Sequence, residues 1–192
     1  GEDTYLVSRI AKVMVQAYQG VSPALPGNIM ASVKHFALYG AVEGGRDYNI
    51  VDMSPTRMFQ DYLPPYHAAI DAGAGSVMVA LNSINGVPAT SNTWLMQDLL
   101  RKQWGFKGVA VSDHGAILEL IKHGVAKDER EAATLAIKAG VDMSMNDLVY
   151  GKELPGLIRS GKVPQSDLDN AVREVLGAKY DMGLFKDPYL RI

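Results

Sequence analysis

Short apolar runs alternate with amphipathic stretches along this chain. The runs that predict β-strands cover residues 32–40, 76–83, 108–113 and 141–145. Apolar residues at helical spacing predict helices at about residues 3–18, 54–71, 93–104, 126–139, 150–160 and 166–180. The first of these helices has its apolar positions at Leu6, Ile10, Val13, Met14 and Ala17. Apolar strands that are each followed by a helix indicate an α/β fold with a parallel sheet.

Serine, proline and glycine locate the ends of two helices. Ser54 followed by Pro55 predicts an N-cap and a first helical residue. Within the same helix, the pair Pro64–Pro65 predicts a kink or an interruption. Ser166 is expected to cap the last helix, and Gly183 is expected to stop it.

Four parallel strands with covering helices fit two α/β architectures. A closed (β/α)₈ barrel needs eight strands, typically over about 250 residues, so four strands would be part of one. An open doubly wound sheet is possible with fewer strands. Half a barrel would expose an apolar inner surface and two unpaired strand edges, and both features favour association.

The composition excludes several classes of function. The 192 residues are 47% hydrophobic and 21% charged, with a net charge of -2 and an isoelectric point of about 6.1. We therefore expect neither a nucleic-acid partner nor a membrane partner. The sequence contains no cysteine, which excludes disulfides and thiol chemistry. The chain opens GEDTYLV, without an initiator methionine or a signal peptide, and we expect a processed or truncated chain.

Polar or reactive residues stand at the end of each predicted strand. The pairs are Lys34 and His35, Asn82 and Ser83, Asp113 and His114, and Asp142 and Asn146. In barrels and doubly wound sheets, active residues collect at the carboxyl ends of the strands. We therefore expect these side chains to meet at one shared mouth.

Asp113 is the sharpest candidate for catalysis. It ends a strand of small and apolar residues, and Gly115 follows closely. A retaining glycosidase needs such a carboxylate to attack the anomeric carbon, with a second carboxyl group about 5 Å away as acid and base. The alternative is structural, because Asp is also a favoured N-cap and Asp113 would then cap the helix that follows.

Lys34 and His35 form a second cluster with three possible roles. Their donors suit sugar hydroxyls, Lys34 suits the Schiff base of a class I aldolase, and both suit an ordinary ion pair with a satisfied histidine. A metal site is disfavoured because Asp113 and His114 start toward opposite faces of a strand and the four histidines form no short ligand motif. Met78 and Met143 are expected in the core, or at a pocket wall.

Three motifs together resemble glycoside hydrolase family 3. They are KHFALYG, the segment NGVPATSNTWLMQDLLRKQWGFKGVAVSDHGA, and AGVDMSM. The long segment is specific, because it joins an NG-x-P turn, a helix and the S-D strand in the order that the family has. The resemblance covers essentially the whole chain and is strongest to the bacterial periplasmic β-glucosidase branch. It implies that residues 1–192 are the second half of a (β/α)₈ N-terminal domain, a partial TIM barrel.

The resemblance also implies a role for each candidate residue. Asp113 matches the nucleophile, and Lys34 and His35 match the pair that hydrogen-bonds glucose hydroxyls. His114 stands where many relatives carry an aromatic residue beside the nucleophile, and Leu81 stands where many carry a tyrosine. Wall positions of the sugar pocket match Met78 and Met143.

The implied activity is that of a retaining exo-β-D-glucosidase that needs no cofactor or metal. One subgroup of the family carries its acid/base histidine in a K-H-F-P-G-H-G loop, but this chain reads KHFALYGAVEGG and lacks the second histidine. The β-glucosidase type takes its acid/base from a glutamate in a separate domain. We therefore expect this chain alone to be inactive, to associate with itself, and to come from a periplasmic enzyme that acts on β-glucosides or oligosaccharides. A class I aldolase using Lys34 and a non-catalytic carbohydrate-binding domain are the alternatives.

Overall fold

The computed structural model describes residues 2–189. The strands are β1 (Ser32–Phe36), β2 (Ile50–Val51), β3 (Ser76–Val79), β4 (Ser83–Ile84), β5 (Val87–Pro88), β6 (Val109–His114) and β7 (Met143–Met145). The α-helices are α1 (Thr4–Gln19), α2 (Pro55–Arg57), α3 (Leu63–Asp71), α4 (Ala116–Lys122), α5 (Glu129–Ala139), α6 (Val149–Arg159) and α7 (Gln165–Asp181). Two further segments, Met58–Tyr62 and Trp94–Gln103, are π-helical. None of the helices within residues 2–189 is long and apolar enough to cross a membrane.

Four parallel strands form the main sheet in the order β1-β3-β6-β7. Helical segments connect them, and this confirms the predicted α/β fold with about four parallel strands and covering helices. A second, three-stranded sheet was not predicted. It joins β2, β4 and β5, and its strands of two residues each are too short to produce a pattern of alternating apolar and polar positions.

The core lies between the outer face of the main sheet and the helices. Val77 and Ala110 lie side by side in β3 and β6 and are completely buried. The apolar face predicted for residues 93–104 packs there too, with Leu95, Leu99 and Leu100 buried. The opposite face of the sheet carries Met78 and Met143, which are less buried than the outer face. This inner face would be the interior of a closed barrel.

Helix α1 forms where the spacing predicts it, but the apolar stripe that predicts it is not the buried face. Val15 and Gln19 are buried, and Val7 and Ala11 are partly buried on the same side. That side packs against α3. The stripe itself points away from the fold and is exposed at Leu6, Ile10, Val13, Met14 and Ala17.

The disturbance expected at Pro64–Pro65 takes the form of a π-helical turn between α2 and α3. Leu63 donates its backbone N–H to the carbonyl of Met58, five residues earlier. Pro65 has no N–H to donate to the carbonyl of Asp61, and the hydroxyl of Thr4 donates to that carbonyl at 3.0 Å instead. A hydroxyl of α1 thus satisfies a carbonyl for which Pro65 provides no donor. At its start, Ser54 accepts from the N–H of Arg57, as the N-cap prediction requires.

Two predicted helix starts are wrong. The helix expected from residue 126 begins at Glu129, because the side chain of Asp128 caps it by accepting from the N–H of Glu131. Ser166 does not cap the last helix, since Pro164 occupies the cap position with an extended backbone. No bounds were predicted for helix α4, a short element of seven residues directly behind β6.

Candidate active site

Both neighbours of β3 carry a β-bulge near their carboxyl ends. In β1 the pair Lys34–His35 lies opposite a single residue of β3, between the matched pairs Val33↔Val77 and Phe36↔Val79. In β6 the pair Ser112–Asp113 likewise lies opposite a single residue of β7. Bulges re-aim side chains and are common beside active sites. The two bulges here contain three of the candidate residues.

The bulges bring His35 and Asp113 together across β3. The Nε2 atom of His35 lies 3.5 Å from Oδ2 of Asp113, and the two side chains are 24% and 13% exposed. Burial lowers the pKa of His35 below 6.5, and the charge of Lys34 lowers it further, whereas Asp113 and Asp47 raise it. The shift favours the neutral form of His35 at pH 7, and one of its ring nitrogens is directed at the Asp113 carboxyl group.

Asp113 is oriented by its own strand and does not cap the following helix. Its Oδ1 accepts the backbone N–H of His114 at 2.7 Å, which leaves Oδ2 facing His35. Helix α4 has Gly115 at its cap position, and no side chain accepts a bond there. The helix-cap alternative for Asp113 is therefore wrong.

The hydroxyl of Ser112 links the two strands beside Asp113. It accepts the N–H of Met145 in β7 at 2.8 Å and donates to the carbonyl of Asp113 at 2.9 Å. Ser112 is fully buried. At the bulge, the regular ladder between β6 and β7 is interrupted, and the hydroxyl satisfies the amide of Met145. Ser112 therefore holds the bulge that positions Asp113.

His35 is supported from behind by two tyrosines. The hydroxyl of Tyr66 in α3 donates to the carbonyl of His35 at 2.8 Å, and burial raises the pKa of Tyr66 to about 12. The ring of Tyr39 lies 4.5 Å from the His35 ring, centroid to centroid.

Lys34 is exposed at the rim of a cavity of about 710 Å³ between α1, β1 and α3. Within residues 2–189, Lys34 makes no ion pair at 4.0 Å or less, which removes support for its ordinary salt bridge.

His114 and Asn146 form a polar contact at the tips of β6 and β7. The side-chain amide of Asn146 meets Nε2 of His114, and both residues are exposed. Asn146 has a φ of 60°, in the left-handed region, which is uncommon for a residue other than glycine. Met143, 42% exposed, lies on the inner face below this pair, and Met78 lies on the same face in β3. The structure thus places five of the six candidate residues on the inner face or at the carboxyl ends of the strands, whereas Lys34 lines the cavity between α1, β1 and α3.

The expectation that the polar side chains of all four strand ends meet at one mouth is wrong for Asn82 and Asp142. Asn82 is fully buried and donates to the carbonyl of Ala37. Asp142 precedes β7 and so lies at the opposite end of the sheet, where Arg101 donates to it at 2.7 Å. Burial raises the pKa of Asp142 to about 6 against the lowering effect of Arg101. Oδ2 of Asp142 also accepts the N–H of Ala110 in β6, so the Arg101–Asp142 pair ties the segment before β7 to β6.

Sequence reasoning missed Ser112, Tyr39 and Tyr66 as parts of the site. The S-D dipeptide was visible, but a bulge adds a residue without changing the composition of a strand. Tyr66 is distant in sequence from His35.

Within residues 2–189, no group of three or more His, Asp or Glu side chains is placed to hold a metal ion.

Comparison with known proteins assigns the family. Residues 1–178 match the N-terminal domain of glycosyl hydrolase family 3. This chain belongs to glycosyl hydrolase family 3. The resemblance inferred from the three motifs is thereby confirmed.

Relatives of the family 3 chain are several times longer than it is. A periplasmic β-glucosidase of Salmonella typhimurium is 65% identical over 98% of this chain and 25% of its own length. A β-xylosidase of Formosa agariphila is 39% identical over 96% of this chain and 27% of its own length. The crystal structure of a Listeria innocua β-glucosidase with glucose, 48% identical, superimposes on all of this chain with a TM-score of 0.97 and is covered to 27%. The chain thus spans about a quarter of the length of these relatives.

Proposed function

We propose that this chain is the nucleophile-bearing part of a longer retaining exo-β-D-glucosidase, with Asp113 as the nucleophile. The observation that carries the proposal is the geometry of Asp113. One carboxylate oxygen is held by the backbone of His114, and the other faces a neutral histidine at the carboxyl ends of parallel strands. The Salmonella and Listeria relatives named β-glucosidases support glucose as the sugar. Residues 1–192 would be the second half of the N-terminal barrel of that enzyme.

In the proposed reaction, Oδ2 of Asp113 attacks the anomeric carbon as the bond to the leaving oxygen breaks. A covalent glycosyl-enzyme forms, and water then releases glucose with retained configuration. Asp113 stays oriented throughout because its other oxygen and its carbonyl are bound within the bulge. Ser112 and His114 thereby act as positioning residues.

His35 supplies a hydrogen-bond donor beside the nucleophile, and Lys34 is proposed as a second donor to sugar hydroxyls. Neutral His35 can present an N–H toward a sugar hydroxyl or toward Asp113, and Tyr66 fixes the backbone of His35. Lys34 is free of ion pairs in residues 2–189 and adds an ammonium group at the rim. Met78, Met143 and His114 would form walls of the sugar pocket.

The proton donor is proposed to come from the remainder of the longer enzyme. A retaining glycosidase needs a second carboxyl group about 5 Å from the nucleophile. On the family pattern that group is a glutamate outside residues 1–192. We also propose a periplasmic location, because the Salmonella relative is named for it; fractionation of the host cell would test this.

Azide rescue tests the role of Asp113 in an enzyme that carries this segment. Asp113→Ala is expected to lose at least about 10³-fold in kcat on an aryl β-glucoside. Azide should restore turnover by attacking the anomeric carbon from the vacated side, which produces the α-glucosyl azide.

Asp47→Asn serves as the matched control, because it removes a carboxylate that acts on His35 without removing the nucleophile. Nearly full activity is expected for it, and azide should have no effect. Asp113→Ala without a large loss, or rescue that yields the β-azide, would rule out Asp113 as the nucleophile.

A further inference from the structure

Asn146 has a strained backbone at the mouth of the candidate site. Its φ of 60° lies in the left-handed region, which costs a residue with a side chain free energy that its surroundings must offset. Asparagine tolerates this region because its amide can bond to the backbone of its own turn. Within residues 2–189, Asn146 makes no such bond, and its amide meets Nε2 of His114 instead. The strained conformation therefore supports a contact between two strands.

The turn that follows β7 is stabilised without Asn146. Oδ1 of Asp147 accepts the backbone N–H of Val149 at 3.1 Å, at the start of α6, and it also accepts the hydroxyl of Ser144. A polar side chain closes a turn before a helix by bonds of this kind. The amide of Asn146 is thus not used to build the turn, and its contact with His114 needs another explanation.

Backbone hydrogen bonds hold the two partners in register. Met145 lies opposite His114 in the ladder between β6 and β7, and Gly115 donates its N–H to the carbonyl of Met145 at 3.1 Å. The backbone N–H of His114 is bound to Oδ1 of Asp113. The backbone of His114 is therefore fixed beside the candidate nucleophile, and the contact with Asn146 sets the orientation of its ring.

The same contact decides which ring nitrogen of His114 carries the proton. The amide nitrogen of Asn146 is a donor, so Nε2 accepts, and the proton of the neutral ring then lies on Nδ1. Among the described residues, Nδ1 of His114 has no hydrogen-bond partner, so it is available as a donor to a bound substrate. Free histidine prefers the opposite tautomer, with its proton on Nε2. The arrangement at His114 therefore depends on Asn146.

We propose that Asn146 is a positioning residue that holds His114 as an Nδ1–H donor to an oxygen of the bound glycoside. This inference rests on the proposed function, because it requires a sugar beside Asp113. His114 and Asn146 are exposed, whereas the side chain of Asp113 is only 13% exposed, so the donor lies farther out than the nucleophile. A contact at this distance from the reacting bond stabilises the bound substrate and the transition state alike, and its loss should raise KM with little change in kcat.

Nitrogen-15 NMR of the 192-residue chain, at about pH 8 where imidazole is neutral, tests the tautomer. The ring signals of His114, assigned by their loss in His114→Gln, should show the proton on Nδ1. Asn146→Asp keeps the shape of the side chain but offers only acceptors, so the proton should move to Nε2. Asn170→Asp is the matched control, because it adds the same charge beside Asp142 at the other end of the sheet, and the tautomer should not change. A wild-type ring with its proton on Nε2 would overturn the proposal.

Kinetics of an enzyme that carries this segment test the role in binding. Asn146→Gly removes the amide and suits the left-handed backbone, so the free energy of unfolding should stay close to that of the wild type. On an aryl β-glucoside its KM should rise about 3–10-fold, the effect of one lost hydrogen bond, and its kcat should change less than about two-fold.

A double-mutant cycle shows whether Asn146 acts through His114. In a His114→Ala background, Asn146→Gly should have no further effect on KM. An unchanged KM in Asn146→Gly, a fall in kcat alone, or additive effects in the cycle would overturn the proposal. A wild-type enzyme without glucosidase activity would instead overturn the proposed function, and the NMR experiment does not depend on that outcome.

Discussion

Ser112→Ala probes the bulge that positions Asp113. The change removes one buried hydroxyl and adds no atoms, so it cannot overpack the strand. It leaves the N–H of Met145 and the carbonyl of Asp113 without their partner, which bonds them at 2.8 and 2.9 Å. A polar group left unsatisfied in a buried site costs about 1–3 kcal/mol. We expect the free energy of unfolding to fall by about 2 kcal/mol, the middle of that range.

Urea unfolding of the 192-residue chain measures this cost. Ser166→Ala is the matched control, because Ser166 is exposed in the first turn of α7, and its effect should stay within about 0.5 kcal/mol. In an enzyme that carries the segment, Ser112→Ala should also lower kcat more than it raises KM, since the nucleophile is less well held. The reasoning fails if Ser112→Ala is as stable as Ser166→Ala and equally active. It also fails if KM alone changes.

Three further predictions follow from the same contacts. Tyr66→Phe removes the hydrogen bond to the His35 carbonyl and should lower the free energy of unfolding in urea by about 1 kcal/mol. Tyr62→Phe is the control and should lower it less, because the Tyr62 hydroxyl makes no hydrogen bond among the described residues. Equal losses in the two variants would contradict the support that Tyr66 gives to His35. The pKa of Asp142 is raised from 3.8 to about 6, so the folded chain binds a proton at Asp142 more tightly than the unfolded chain does. The contribution of Asp142 to the free energy of unfolding therefore falls as the pH rises from about 4 to 6. Asp142→Asn should therefore flatten the pH dependence of unfolding over that window, and an unchanged slope would contradict it. The chain alone should hydrolyse an aryl β-glucoside about 10²–10⁴-fold more slowly than an enzyme with its proton donor, and comparable turnover would contradict a donor outside the chain.

Elements with a strong apolar period were predictable from the sequence. The four main strands and the longer helices lie close to their expected positions, because burial on a sheet face or a helix face imposes that period. Helix α4 and the small sheet were missed, since seven residues and two residues are too few to establish one. Helix α1 shows a different failure, because the apolar face of a helix need not be the face that its own chain buries.

The candidate site was predictable in its residue types and only partly in its geometry. Asp113 and His35 stand at strand ends in the sequence, but their contact depends on two bulges that add residues without a compositional signal. Asp142 was predicted among the residues at the carboxyl end of its strand, but β7 begins directly after it. Because β7 is short, a shift of two residues in the start of the strand places Asp142 at the opposite end. Ser112 and Tyr66 act through backbone groups, which no sequence pattern records.

Covalent trapping of Asp113 tests the central claim most directly. A 2-deoxy-2-fluoro-β-glucoside with a dinitrophenolate leaving group needs little acid assistance and lets the glycosyl-enzyme accumulate. In an enzyme that carries this segment, peptide mass spectrometry should find one 2-deoxy-2-fluoroglucosyl group, attached to Asp113 and absent from Asp113→Asn. A label on another residue, or an intact protein that turns over substrate without ever carrying the label, would contradict the account.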